Sequence, residues 1–369
     1  MISFQPTTDE LAFVEVAEKF AKDSLRPAMR QAEATKVIPD SIINELRALE
    51  LLTMEEPVSA GGLELPLTTQ VQILRALSFG DLAIMQGLPG LNDGSSFVRV
   101  LQNVGSVDDL NNQTDTLAYI SGLEEQPFQT LKLVGNVLTG ASVPVRSSQI
   151  ATHFLIAIRD EHAEVKLLLI PNSEEIEVTG ESHLGLEVAK IGKVTFNELL
   201  IDDYIIASGT SAETVIKEAE LRIYILQAAK QVGLMEAACD YATEYAATRK
   251  AFGQEIAKFQ AVSFRIAKMV TELQVSHNFV LEAANALDEN KSDAEQKSLK
   301  AVYQAHKAVR YVTDSAVQLL GGHGFVTEFP VEKWMRDAQA QVILYGHEHD
   351  FLEKYGKCLL DFKEDVVQV

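Results

Sequence analysis

Cysteine is nearly missing from this chain of 369 residues, with Cys239 and Cys358 its only two. Two isolated thiols form no disulfide framework and point to a reducing, cytoplasmic setting. Long apolar runs are also missing. None approaches the roughly 20 residues that cross a bilayer, so no membrane partner is expected. The opening stretch MISFQPTTDELAFVEVAEKF has no basic segment running into an apolar one, and no secretory leader is expected. Positive charge is scarce, since 32 Lys and Arg face 53 Asp and Glu for a formal net charge of -21. Such a surface repels phosphate backbones, and no Lys/Arg cluster is interleaved with aromatics, which argues against nucleic acid as a partner. Net charge does not describe a pocket, so a local basic site for a small anion stays open. The chain also lacks Gly-x-Gly-x-x-Gly, a phosphate loop, Gly-x-Ser-x-Gly and His-Glu-x-x-His.

What is present is 47% hydrophobic and 23% charged, the balance of a globular protein large enough for two or three domains. The apolar period changes twice along the chain. Over residues 1–112 it is mostly helical: Leu11, Val14, Ala17, Phe20 and Ala21 share one face. Pro39 and Asp40 start a helix through Leu49, Pro57 to Gly62 form a loop, and a further helix spans about 67–77. Over 113–207 the period is two. Gly135-Asn136 joins a hairpin, a second hairpin turns at Asp160 to Ala163, and Lys193–Asn197 and Leu199–Ile201 are further strand candidates. Short strands at this spacing predict a small barrel or sandwich. Over 208–369 long helical stretches return at about 212–247, 255–289 and 292–319, with Ser292 as an N-cap candidate. The fold class is therefore α+β and multidomain: N-terminal helices, a central β domain and a C-terminal helical bundle.

The last third carries specific motifs. Thr248-Arg249-Lys250-Ala251-Phe252-Gly253 precedes Phe259-Gln260. Gln318-Leu319-Leu320-Gly321-Gly322-His323-Gly324 follows, and then Arg336-Asp337-Ala338. In order, type and spacing these resemble the R-x-x-F-G, F-Q and Q-x-x-G-G-x-G…R-D-A motifs of the acyl-CoA dehydrogenase family. Pro57 to Gly62 and Leu184 to Asn197 resemble it more weakly.

The resemblance implies an N-terminal helical domain, a β domain and a C-terminal four-helix bundle, assembled as a homo- or hetero-tetramer or dimer. It implies FAD as cofactor, an acyl-CoA substrate and an electron-transferring flavoprotein as redox partner. Arg249 would meet the FAD diphosphate with Phe252 nearby. Gln318, Gly321 and Gly322 would approach the cofactor of an adjacent subunit. The chemistry agrees, because a guanidinium forks onto a diphosphate and glycines let backbone N–H groups come close.

The same resemblance exposes departures. The family's catalytic glutamate falls at Tyr345, and its alternative place on the first bundle helix falls at Ile223. A phenol, with an ordinary pKa near 10, is a poor base at neutral pH, but it is able to donate a hydrogen bond or to pack. The arginine that helps hold CoA falls at Tyr224, with Arg222 two residues away. The strands that flank the flavin ring read Ser121 to Phe128 and Ser142-Val143-Pro144-Val145-Arg146. Within His347-Glu348-His349-Asp350, Glu348 is a candidate for a shifted base, the two histidines suit a metal only with a third ligand, and a solvated turn is the plain alternative. Three functions stay open: an acyl-CoA dehydrogenase with an unconventional base, a non-catalytic subunit completing a paralogue's FAD site, and a flavin monooxygenase or nitroalkane-oxidase-like member.

Overall fold

The computed structural model describes residues 8–101, 110, 114–124, 126 and 128–367. The expected division near 112, the first seven residues, Glu125 and Pro127 lie outside them.

Helix α1 (Thr8–Phe20) runs through a π-turn into α2 (Arg26–Thr35), followed by α3 (Asp40–Ala48), α4 (Leu67–Gly80), α5 (Leu82–Gly87) and α6 (Gly94–Leu101). Ala17, Phe20 and Ala21 of the predicted α1 face are buried, whereas Leu11 is 46% exposed. Helix α3 starts at Asp40 as the Pro39 signal requires, since proline's fixed φ suits a helix entrance.

Eight strands follow: β1 (Leu117–Gly122), β2 (Lys132–Val134), β3 (Val137–Ala141), β4 (His153–Arg159), β5 (Val165–Pro171), β6 (Ile176–Gly180), β7 (Gly192–Leu200) and β8 (Ile205–Ser208). Both predicted hairpins are present, and Gly135 takes the left-handed φ of +59° that its turn demands. The two strand candidates around Asn197 are one strand, β7. The strands form two four-stranded sheets, ordered β1-β4-β5-β8 and β2-β3-β7-β6, so the barrel alternative gives way to two facing sheets. Alternate residues of both, including Ile120, Leu138, Phe154, Ile156, Val194 and Phe196, meet in one apolar core. Strands β1 and β4 pair in parallel, with Leu117 opposite His153.

Helix α7 (Gly209–Thr248) has 40 residues and so spans about 60 Å. The short ribbon β9 (Lys250–Ala251) and β10 (Gln254–Glu255) leads to α8 (Gln260–Asp288), α9 (Ala294–Leu320), α10 (Val331–Leu344) and α11 (Glu348–Val367). The N-cap of α9 is Asp293, without a side-chain capping bond, and not Ser292. Helix α7 is the spine of the molecule. Its first turns, with Val215, Ala219 and Ile223, pack on β1, β5 and α6, and its later turns share one continuous core with α1–α5 and α8–α10. Gly233 permits the closest approach: a Cβ there would lie 2.1 Å from the Arg75 carbonyl oxygen of α4. Among the described residues no helix is long and apolar enough to cross a membrane.

Candidate functional site

Arg146 lies between β3 and β4, directly after Ser142 to Val145. Val145 bridges to Gly192, and Ser147 turns left-handed at φ +60°, which directs the arginine inward. Its guanidinium is buried and surrounded by acceptors. Nε donates to the Gln86 carbonyl oxygen at 2.7 Å, Nη2 to Asn92 Oδ1 at 2.8 Å and Nη1 to Asp93 Oδ1 at 3.1 Å. Longer contacts reach the Met85 carbonyl oxygen at 3.4 Å and Tyr345 Oη at 3.5 Å. All five N–H groups are thereby engaged, as a buried guanidinium requires.

Tyr345 caps the C-terminus of α10 and donates to Asp93 Oδ2 at 2.8 Å. Burial, followed by the adjacent Asp93 carboxylate, pushes its pKa well above the ordinary tyrosine value. The residue at the family's base position is therefore a locked hydrogen-bond donor. Ile223 is buried in the same cluster of side chains and offers no proton acceptor. Four further polar groups extend the network. Gln227 Nε2 donates to Asp93 at 2.8 Å, Gln86 Nε2 donates to Gln227 and Gln341 at 2.6 Å each, and Gln341 Nε2 donates to Gln227 at 3.0 Å. Lys230 Nζ donates to Gln86 Oε1 at 3.1 Å, and burial, with Arg146 nearby, lowers its pKa to about 7.

Arg222 and Tyr224 face opposite ways on α7, as their separation of two residues predicts. Arg222 makes a buried two-point pair with Glu55, at 2.6 and 3.0 Å, while Gln70 also donates to Glu55. Tyr224 packs edge-on against Phe351, with ring centroids 5.0 Å apart. Neither side chain is arranged as an exposed cation.

A carboxyl group that sequence reasoning missed sits beside Tyr224. Glu220, one turn before Ile223, accepts from Tyr119 Oη at 2.7 Å and Ser121 Oγ at 3.3 Å on β1, and from Tyr224 Oη at 3.5 Å. Desolvation by these neighbours raises its pKa above the ordinary carboxylate range. The available signal was its helical offset of three from Ile223.

Glu348 stands elsewhere. It begins α11 and pairs with Arg310 at 3.4 Å, and none of its bonds reaches Tyr345 or Asp93. His349 next to it is 84% exposed in its side chain. Among the described residues no three His, Cys, Asp or Glu groups are placed to hold a metal.

The motif residues at the far end of α7 are open to solvent. Arg249 caps α7 and is exposed, Phe252 is 97% exposed at φ +52°, and Gln318 is exposed near the end of α9. Gly321 has φ +58°, and a Cβ at Gly321 or Gly322 would meet nothing within 4 Å. The two motifs share one end of the molecule. Tyr245, one turn before Arg249, hydrogen-bonds His323 at 2.9 Å, and His323 stacks on Phe329 at 4.6 Å. His323 is thus tied into the bundle.

The Arg336-Asp337 motif joins segments. Arg336 binds Glu33, Glu332 and the Leu184 carbonyl oxygen, while Asp337 accepts the Leu186 N–H at 2.7 Å. Fully buried Lys333 lies between Asp337 at 2.7 Å and Asp81 at 2.6 Å. Burial opposes its charge, but the two carboxylates hold its pKa above the ordinary lysine value. Trp334 packs in the bundle, with Arg26 over its ring at 4.6 Å.

Comparison with known proteins identifies the fold and the family. "Acyl-CoA dehydrogenase, N-terminal domain" matches residues 7–108, and "Acyl-CoA dehydrogenase, C-terminal domain" matches residues 222–349. Benzylmalonyl-CoA dehydrogenase of Aromatoleum aromaticum is 24% identical over 364 residues, covering 93% of this chain and 95% of the relative. The caffeyl-CoA reductase-Etf complex subunit CarC of Acetobacterium woodii is 37% identical over 119 residues, which is 32% of this chain and 31% of that one. Butyryl-CoA dehydrogenase from Megasphaera elsdenii superposes with a TM-score of 0.85 at 21% identity, over 97% of this chain and 100% of that structure. The FAD complex of PigA superposes with a TM-score of 0.87 at 19% identity, over 97% and 99%. With both family domains matched and the fold shared from end to end, the chain belongs to the acyl-CoA dehydrogenase family.

Proposed function

We propose that this chain is a flavin-associated subunit of an acyl-CoA dehydrogenase assembly that holds the nucleotide end of FAD without removing the substrate proton itself. The observation that carries the reading is Tyr345 donating to Asp93, which is in turn paired with Arg146. In the family this region holds the glutamate that takes the α-proton of an acyl thioester. Here a raised phenol and a neutralised carboxylate occupy it, and neither is a base at neutral pH.

The residues fit one end of FAD and not the other. At the diphosphate end, exposed Arg249 offers a permanent charge, and the open Gly321-Gly322 backbone admits a ligand from outside. At the ring end, Arg146 takes a position on the ring-flanking segment and commits its donors to Asp93, Asn92 and backbone carbonyls. When bound, FAD supplies the hydride-accepting chemistry of the family. In this chain Arg249 would hold and orient it, Gln318 to Gly322 would close over a neighbouring subunit's nucleotide, and Arg146 would exclude the ring. The partner is an active paralogue in a hetero-tetramer or heterodimer, and that paralogue handles the acyl-CoA and the electron-transferring flavoprotein.

A second reading has its own observation. Glu220 is a carboxyl with a raised pKa beside β1, one turn from the alternative base position. It supports α,β-dehydrogenation by this chain, with electrons passed to an electron-transferring flavoprotein. The absorbance spectrum of the chain purified alone, with and without FAD, separates the two. The subunit reading expects no stoichiometric flavin band and no bleaching by acyl-CoA, and a band near one FAD per chain that bleaches with acyl-CoA overturns it. Loss of that bleaching in Glu220→Gln would then identify the base.

A further inference from the structure

The open site is carried by two helix ends that lie far apart in sequence. Arg249 caps α7, and Gly321-Gly322 follow α9. A diphosphate that meets both gains most when their separation is set beforehand, because groups that must be ordered on binding give up part of what they contribute.

The glycine turn has two sides. At Gly321, with φ +58°, and at Gly322 an added Cβ would meet nothing within 4 Å. At Gly324 a Cβ would lie 2.3 Å from the Val317 carbonyl oxygen, so this part of the turn folds back tightly on α9. Between them His323 Nδ1 lies 2.9 Å from Tyr245 Oη. Among the described residues this is the one hydrogen bond between the last turns of α7 and the glycine turn.

Tyr245 reaches both motifs. Its carbonyl oxygen accepts the Arg249 N–H at 2.8 Å, and the Arg249 carbonyl oxygen accepts the Ile256 N–H at 2.8 Å where the β9–β10 ribbon closes. Its hydroxyl meets His323. The imidazole is held in turn by Phe329, stacked on its face with the two planes 10° apart. Phe329 is itself tethered: its carbonyl oxygen accepts from Arg30 Nη2 at 2.7 Å, and Arg30 pairs with Glu332 at 2.6 Å. The link between the two helix ends is therefore anchored on α2 and α10 as well.

We propose that Tyr245 and His323 are positioning residues for the FAD diphosphate. Their bond holds the Arg249 backbone and the Gly321-Gly322 backbone at one spacing before the nucleotide arrives, so neither has to be ordered on binding. The inference rests on the reading of this end as the nucleotide site of FAD.

The test is titration by flavin fluorescence of the assembly that binds FAD, whether formed with a paralogue or by this chain alone. Riboflavin, which carries the ring but no phosphate, is the control. His323→Phe keeps a ring on Phe329 and loses the bond, and Tyr245→Phe loses the same bond from the other side. Each is expected to weaken FAD about fivefold, the worth of one hydrogen bond, and to leave riboflavin unchanged. The double variant is expected to be no weaker than the weaker single, because both remove one interaction. Wild-type FAD affinity in both singles, losses that add in the double, or equal losses for FAD and riboflavin would overturn the proposal. Should His323→Phe fail to fold, Tyr245→Phe decides by the same comparison of FAD with riboflavin. Arg249→Gln separates the two levels. If it leaves FAD affinity intact, the nucleotide-site reading falls and the positioning role falls with it. If it weakens FAD while Tyr245→Phe does not, only the positioning role falls.

Discussion

Around Gly321 and Arg249 the protein is open, and around Arg146 it is closed. At the first place, glycines with nothing near their missing Cβ, an exposed guanidinium and an almost fully exposed Phe252 wait for atoms from outside the chain. At the second, the chain supplies every partner itself: five acceptors for one arginine, and three donors for Asp93. One motif set thus lies on an open surface, while the region around Tyr345 and Arg146 is interior. On the subunit reading proposed above, recognition of a cofactor's phosphate end and reaction at its ring would be separable properties of this fold.

Breaking the closed end has the largest expected effect. Arg146→Met leaves Asp93 buried without a cation and is expected to cost about 3–5 kcal/mol in denaturant melts. The double variant Arg146→Met/Asp93→Leu should recover much of that loss, and equal loss in both would contradict the pairing. Next comes pH. Lys230 has its pKa lowered to about 7 in the folded state, so between pH 7 and 9 the unfolded chain binds more protons. Stability should therefore rise with pH across that window, by at most about 1.4 kcal/mol per unit, and this slope should shrink in Lys230→Met. Below about pH 6.5 a separate rise with pH, unchanged in that variant, comes from half-buried His277 and buried His306, whose pKa values burial lowers to about 4 and about 3. The window stops near 9 because buried Cys239, its thiol pushed up to about 12, works in the opposite direction above that.

At the open end the expected effect moves from stability to binding. Arg249→Gln should leave the melt unchanged and weaken FAD uptake by the assembled complex by about 1.5–3 kcal/mol, the range of a charged hydrogen bond, as read by flavin fluorescence. An altered melt would mean that Arg249 is structural. Glu348→Gln should do least. Its contact with Arg310 is a surface pair, so a change within about 1 kcal/mol is expected, with no change in any turnover of the assembled complex. Loss of turnover would restore Glu348 as a base.

Much of the fold was legible because its signals are local. The helices over 67–80, 260–288 and 294–320 follow the apolar period, and the Gly135-Asn136 turn sets the register of its hairpin. The motifs in the last third placed Arg249, Gln318 and the two glycines, and the departure at Tyr345 was visible by counting. The closed end was not legible. Arg146 reads in sequence only as a broken strand motif, because its partners come from Met85, Gln86, Asn92, Asp93 and Tyr345, far apart along the chain. The parallel pairing of β1 with β4 was hidden for the same reason, since two strands of the other sheet lie between them in sequence. Glu220 was within reach, as a carboxyl on the right helix one turn from Ile223. Its role is set by Tyr119 and Ser121, about 100 residues away in the chain.

The glutamines beside Arg146 have a direction. Asp93 only accepts hydrogen bonds and Lys230, while charged, only donates, so each end permits one orientation of the amides between them. Asp93 draws the Gln227 amide nitrogen toward itself, which turns Gln227 Oε1 to receive both Gln86 and Gln341, while Gln86 Oε1 is left to face Lys230. The set is a one-way chain with a fixed source and a fixed sink. A neutral amine would release the Lys230 end, but Asp93 still fixes the other: a Gln86 amide turned over would set its Oε1 against Gln227 Oε1, so the order holds in either state of the lysine. One carboxylate in this way sets the orientation of side chains on α5, α7 and α10.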